Sequence, residues 1–113
     1  MENEAKKHLF DLVEACKRIE EFTNSKTLDQ YRTDPLLRSA VERQFQIAGE
    51  ALQKLLKRFP EVANQITDYR SIINFRNILV HGYDHVVDDV VWGVVQSNLP
   101  LLRKETEKLL NSN

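Results

Sequence analysis

The chain has 113 residues, with 16 Lys and Arg against 17 Asp and Glu and a formal net charge of −1. That length holds one core and no second, and the balanced charge gives no general pull toward nucleic acid or membrane, so any contact with RNA must be local. A single cysteine excludes an internal disulfide framework, and no apolar run approaches the ~18 residues of a membrane span, which predicts one soluble, cytoplasmic domain over residues 1–113.

Three glycines and three prolines leave little turn material, so few and long elements are expected. From Glu4 to Phe22, the residues Leu9, Leu12, Cys16, Ile19 and Phe22 recur every three or four positions, and Phe10 and Val13 widen the face. This is the period of an amphipathic helix. Cys16 lies on the apolar stripe and reads as a small core residue. Residues 23–26 break the pattern, and Ser25 or Thr27 can cap a short helical turn through Tyr31.

Asp34-Pro35 is a helix start, an N-cap acid followed by proline at the first helical position. Leu37, Val41, Phe45, Ala48, Leu52, Leu55, Leu56 and Phe59 then keep helical spacing up to Pro60. Arg43, Ile47, Glu50 and Lys54 fall on the opposite face. Residues 60–65 connect to a further helix, capped by Thr67 or Asp68 and running to His81, with Gly82 placed as its C-terminal glycine. Its apolar face holds Tyr69, Ile72, Ile73, Leu79 and Val80, while Arg70, Asn74, Asn77 and His81 form a polar seam spaced 4-3-4. A last helix is predicted from about Val87 to Leu110, with Trp92 and its neighbouring valines in a core or interface. Pro100 should kink that helix near Gln96 to Leu99, and its basic end, Arg103, Lys104 and Lys108, complements the helix dipole. The expectation is an all-α fold, an antiparallel bundle of four to five helices, with Leu12, Cys16, Phe45, Leu52, Ile73 and Trp92 in its core.

The chemistry concentrates in RNILVHGY, Arg76 to Tyr83. Arginine offers a planar donor fork suited to phosphate, and histidine can take and give a proton near neutrality. Asn77 and His81, four apart, share a helix face. Arg76 and His81, five apart, are separated by about 140° on an ideal helix. One isolated helix therefore does not aim both at one point. His81 and His85 flank Asp84 at a spacing that can hold a metal on a continuous helix, but Gly82 interrupts it and a third ligand is missing, so no metal and no cofactor are expected.

This segment resembles the R-x4-H-x-Y signature of HepT-like toxins in the HEPN superfamily of small helical ribonucleases. Arg76, Asn77, His81 and Tyr83 match it, and the IAGEAL block (Ile47 to Leu52) and the VVWGVVQSNLPLL block (Val90 to Leu102) extend the resemblance over nearly the whole chain. What it implies is metal-independent RNA cleavage, with Arg76, His81 and Asn77 as the catalytic set and Asn74 in support. Glu50 is either an exposed surface acid or, as the resemblance suggests, the carboxylate that orients Arg76. The resemblance further implies a two-fold homodimer with a shared cleft, and a cognate MNT-type nucleotidyltransferase antitoxin that adenylylates Tyr83 and can join the toxin in a larger hetero-oligomer. The competing class is a non-catalytic HEPN nucleotide-binding or interaction module beside such a nucleotidyltransferase.

Overall fold

A computed structural model describes residues 1–80 and 88–112 of the chain. The first helix, α1 (Asn3–Thr23), buries Leu9, Leu12, Val13, Cys16 and Ile19 along the predicted stripe. Phe10, expected to widen that stripe, lies on its outer side and is exposed. At the C-terminal end Thr23 turns its hydroxyl back to the Ile19 carbonyl at 2.7 Å, and Ser25 leaves the helix at φ 61°.

Thr27, not Ser25, caps the next helix, α2 (Leu28–Thr33). Its hydroxyl accepts from the Gln30 amide while the Gln30 side chain accepts from the Thr27 amide, a reciprocal capping box that satisfies two otherwise unpaired donors. Asp34 then caps α3 (Pro35–Arg58) by accepting from the Leu36 and Leu37 amides, both at 3.1 Å. Both caps follow from short polar side chains placed one residue before a helix.

Helix α3 is the axis of the fold. One side packs along α1, and another receives α5 (Tyr69–Val80) after a single turn, α4 (Pro60–Ala63). The Arg58–Glu4 ion pair, at 3.0 Å, joins the end of α3 to the start of α1, so the two run antiparallel. Phe45 of α3 meets Phe75 of α5 edge-on at 5.1 Å between centroids, a favoured aromatic geometry.

The α4–α5 connection is held from outside. Thr67, expected as a cap, instead gives both its amide and its hydroxyl to the Glu105 carboxylate, at 2.9 and 2.8 Å. Asp68, at φ 56°, supplies the carbonyl that accepts the first bonds of α5, from Ser71 and Ile72.

The last stretch consists of α6 (Asp88–Gly93), a π-helical turn over Val94–Asn98, and α7 (Leu99–Asn111). The kink expected from Pro100 takes this π form. Proline has no amide to offer the carbonyl four residues back, and the ladder absorbs the gap by widening, so that the Leu99 amide bonds to the Val94 carbonyl. Arg103 does more than face a helix dipole. It pairs with Glu20 of α1 and with Glu107, fastening α7 to α1.

Among the described residues the fold is all helical, and α1, α3, α5 and α7 carry it. Of the expected core, Leu12, Cys16, Phe45, Leu52 and Ile73 are buried. Trp92 is only half-buried and leans on the buried ring of Tyr31 at 5.5 Å. His81, Gly82, Tyr83 and the proposed start of the last helix at Val87 lie outside the described residues.

Candidate functional site

The polar network of interest forms where α5 crosses α3, and a glycine makes it possible. Gly49 is buried in the middle of α3, and a Cβ placed there would stand 2.2 Å from Cβ and 2.3 Å from Cγ of Arg76. No real atoms approach so closely. The stem of Arg76 therefore lies directly on the backbone of α3, in space that any side chain at position 49 would fill. A glycine in a helix interior costs about 1 kcal/mol relative to alanine. Here that cost secures the approach of one particular side chain.

Seated in this way, Arg76 carries its guanidinium past Gly49 to the next residue of α3. Its Nη2 stands 3.4 Å from Oε1 of Glu50, and its Nη1 donates to Oδ1 of Asn77 at 3.0 Å. Gln53, one turn further along α3, donates from Nε2 to the same Asn77 oxygen at 3.5 Å. With Oδ1 holding two donors, the amide nitrogen of Asn77 is turned away from the network. The Arg76 side chain is 19% exposed and that of Glu50 is 39% exposed. The Nε of Arg76 is buried and has no hydrogen-bond partner among the described residues. Buried polar atoms in folded proteins are almost always paired; among the described residues the Tyr31 hydroxyl and the Gln44 Oε1 share this state with the Arg76 Nε.

Of the residues singled out from the sequence, the structure thus brings together Arg76, Asn77 and Glu50. Asn74 is exposed on α5 and takes no part in the hydrogen bonds around Arg76. Arg70, on the same seam, lies over the Tyr69 ring at 5.1 Å. His81 and Tyr83 lie outside the described residues.

Two participants were missed by the sequence reading, Gly49 and Gln53. Gly49 carried a legible signal: a glycine inside a long helix, beside Ala48 and Ala51, marks a close backbone approach. Gln53 carried none, because a glutamine on a helix surface is unremarkable until its partner is known.

Two buried titratable groups lie elsewhere in the core. Burial pushes the Cys16 thiol up to about 12, with Glu20 adding to the effect, which keeps it protonated and unreactive at neutral pH. Burial also raises Tyr31, with Glu42 and Asp88 reinforcing it. Among the described residues no group of three or more His, Cys, Asp or Glu is placed to hold a metal ion, and no helix is long and apolar enough to cross a membrane.

Comparison with known proteins gives a consistent set of matches. The family model described as "Ribonuclease HepT-like" matches residues 12–109. A protein of Methanocaldococcus jannaschii named "Gamma-glutamylcyclotransferase and putative RNase" is 34% identical over 110 residues, which are 97% of this chain and 49% of that protein. The chain thus spans about half of that relative. A protein of Thermococcus cleftensis named "Probable ribonuclease HepT" is 32% identical over 109 residues, 96% of this chain and 98% of its own length. No solved structure matches the chain.

Proposed function

We propose, for a chain that belongs to the HepT-like ribonuclease family, that it is a metal-independent endoribonuclease and the toxin of a HepT/MNT pair. The observation that carries this reading is the state of Arg76: its stem is seated on Gly49, its guanidinium is directed by Glu50 and Asn77, and its side chain keeps 19% exposure. A guanidinium so fixed, with one carboxylate beside it and part of its surface open, is suited to receive an anion.

In the proposed reaction the 2′-hydroxyl of a ribose attacks the adjacent phosphorus and the 5′-oxygen of the next nucleotide leaves. The products are a 2′,3′-cyclic phosphate and a 5′-hydroxyl. His81 takes the proton from the 2′-oxygen or delivers one to the leaving 5′-oxygen, a role typically worth about 10²–10⁴ in rate. Arg76 holds the phosphate and offsets the charge that builds on its oxygens. Asn77, whose oxygen is occupied by Arg76 and Gln53, has its NH₂ left to donate to a phosphate oxygen or to His81. Single-stranded RNA is the substrate class, because the 2′-oxygen must swing into line with the leaving oxygen.

The active unit is a homodimer with the seam of α5 near its two-fold axis, so that each copy supplies Arg76 and His81 to one cleft. Tyr83 is the control point, adenylylated by the cognate nucleotidyltransferase. An attached phosphate there competes with RNA for the Arg76 guanidinium.

The test is cleavage of a single-stranded RNA in the presence of a chelator. The expected products end in a 2′,3′-cyclic phosphate, and His81→Ala abolishes them while its circular dichroism spectrum is unchanged. A wild-type chain that folds and dimerises yet leaves RNA intact is instead a binding module. Intact mass after incubation with the partner and ATP tests the control point: the wild-type chain gains AMP and Tyr83→Phe does not.

A further inference from the structure

A chain of net charge −1 has no general attraction for a polyanion, so an enzyme acting on RNA needs a local one. The helix that supports Arg76 supplies it. Around an α-helix, positions seven apart return to within about 20° of each other and positions four apart to within about 40°. Arg43 and Lys57 stand seven residues before and after Glu50, and Lys54 stands four after it. All three are exposed, and none is ion-paired among the described residues. Arg43 makes only a long contact, 3.5 Å, with the Gln46 side chain.

The acid in the middle of this row is Glu50, and it faces the Arg76 guanidinium. The face therefore reads Arg43, then the Arg76–Glu50 pair, then Lys54 and Lys57. It is a cationic strip centred on the site, in a molecule whose remaining charge is negative. From Arg43 to Lys57 the helix rises roughly 21 Å, long enough for several nucleotides of an extended strand. Single-strand binders join such a charged track to the backbone without reading sequence.

We propose that this face of α3 is the substrate track. Successive phosphates of single-stranded RNA lie along Arg43, Lys54 and Lys57, and the scissile phosphate falls at Arg76 between them. The inference rests on the ribonuclease reading above and adds to it where the strand runs and which residues set affinity but not chemistry. Because the contacts are made to phosphates, the track takes single strands of any sequence, and affinity falls steeply with salt.

The experiment uses the full chain and a single-stranded DNA oligonucleotide, which lacks the 2′-hydroxyl and so binds without being cut. Its affinity is measured between 50 and 300 mM salt for the wild type, for the triple variant Arg43→Gln, Lys54→Gln, Lys57→Gln, and for a control triple. The control, Lys17→Gln, Arg18→Gln, Lys104→Gln, removes the same charge from exposed positions on α1 and α7.

The track triple should lower the slope of log affinity against log salt by about 2, since each phosphate contact on a single strand contributes about 0.7. Lys57→Gln alone should lower it by about a third of that. On RNA, the track triple should raise KM at least tenfold and leave kcat within twofold, and the control should change neither quantity. If wild-type protein cleaves RNA but the track triple binds with unchanged affinity and slope, the track is wrong and the ribonuclease reading stands. An equal loss in the control would also overturn it, by making the effect one of net charge. A wild type that neither cleaves RNA nor binds the oligonucleotide removes both readings.

Discussion

Arg76 and Arg103 make an informative pair. Their side chains are 19% and 24% exposed, each faces a glutamate on another helix, and each ties two helices of the bundle together. Arg103 is held by two carboxylates, Glu20 at Nε and Glu107 at Nη1, and the hydrogen bond with Glu20 pushes its pKa further up. Arg76 has one carboxylate at 3.4 Å, one neutral amide oxygen at 3.0 Å and a buried Nε with no acceptor among the described residues. Burial and pairing with a glutamate are common to both and so identify neither as functional. What differs is the charge of the partners: two carboxylates hold Arg103, whereas one carboxylate and one neutral amide oxygen hold Arg76. Arg103 braces α7 against α1, and Arg76, with one carboxylate fewer beside it, is the one proposed above to take an anion.

The sharpest way to break that comparison is to remove each arginine in turn. Arg76→Ala should lower kcat for RNA cleavage about 10²–10³-fold, the range for losing one donor to a developing oxyanion. Its stability should fall as well, by about 1–3 kcal/mol, because charged hydrogen bonds and a packed stem are lost together, so kcat is measured well below the new melting temperature. Loss of folding with intact specific activity in the surviving protein would reverse the assignment.

Next in size is Gly49→Ala. A misplacement of about 1 Å at a reacting group can cost 10²-fold, and the new methyl must push Arg76 or α5 away, so kcat should fall about 10–100-fold. Overpacking costs typically 1–3 kcal/mol, and the better helix propensity of alanine, about 1 kcal/mol, offsets part of it. Activity therefore drops more than stability does, and a melting curve set beside a rate measurement reads the two apart.

Arg103→Ala should show the opposite balance. Cutting hydrogen bonds to charged partners costs about 1.5–3 kcal/mol, and each kcal/mol shifts the melting temperature of a domain of about this size by about 4–8 °C. kcat measured well below the new melting temperature should stay within twofold. If cleavage is lost while the fold is retained, the contrast between the two arginines fails.

The smallest effect concerns the region braced by Arg103 and shows only in alkali. The Cys16 thiol is held protonated in the fold up to about 12, whereas in the unfolded chain it ionises near its ordinary value. The raised folded value means that its contribution is fully present below pH ~9 and is lost as pH rises toward 12. Chemical denaturation at a series of pH values should therefore show stability declining above pH ~9. In Cys16→Ala the thiol's share of that slope disappears.

The bundle was legible in the sequence because its signals are local. The period of α1 and α3, the Asp34-Pro35 start and the Thr27 cap are each stated within a few residues. Phe10 and Trp92 were placed too deep for a common reason: period says which side of a helix a residue shares, and only the neighbouring helices decide how far a groove reaches. The Thr67–Glu105 clamp and the Arg103–Glu20 pair span 38 and 83 positions, and nothing local announces such partners. The site was half visible. Arg76, Asn77 and Glu50 stood out by type and by resemblance, but Gln53 enters only through a contact 24 positions away.

Gly49 has a mechanical consequence. With no side chain between the α3 backbone and the Arg76 stem, the guanidinium has no slack, and its position records the distance between two helix axes. The same contact works in reverse. A phosphate that draws on Arg76 loads α3 directly, and α3 also carries α1 along its other side. If the proposed anion binds at Arg76, the load should therefore pass into the central helix, and amide exchange should slow in α1, a helix the anion never touches.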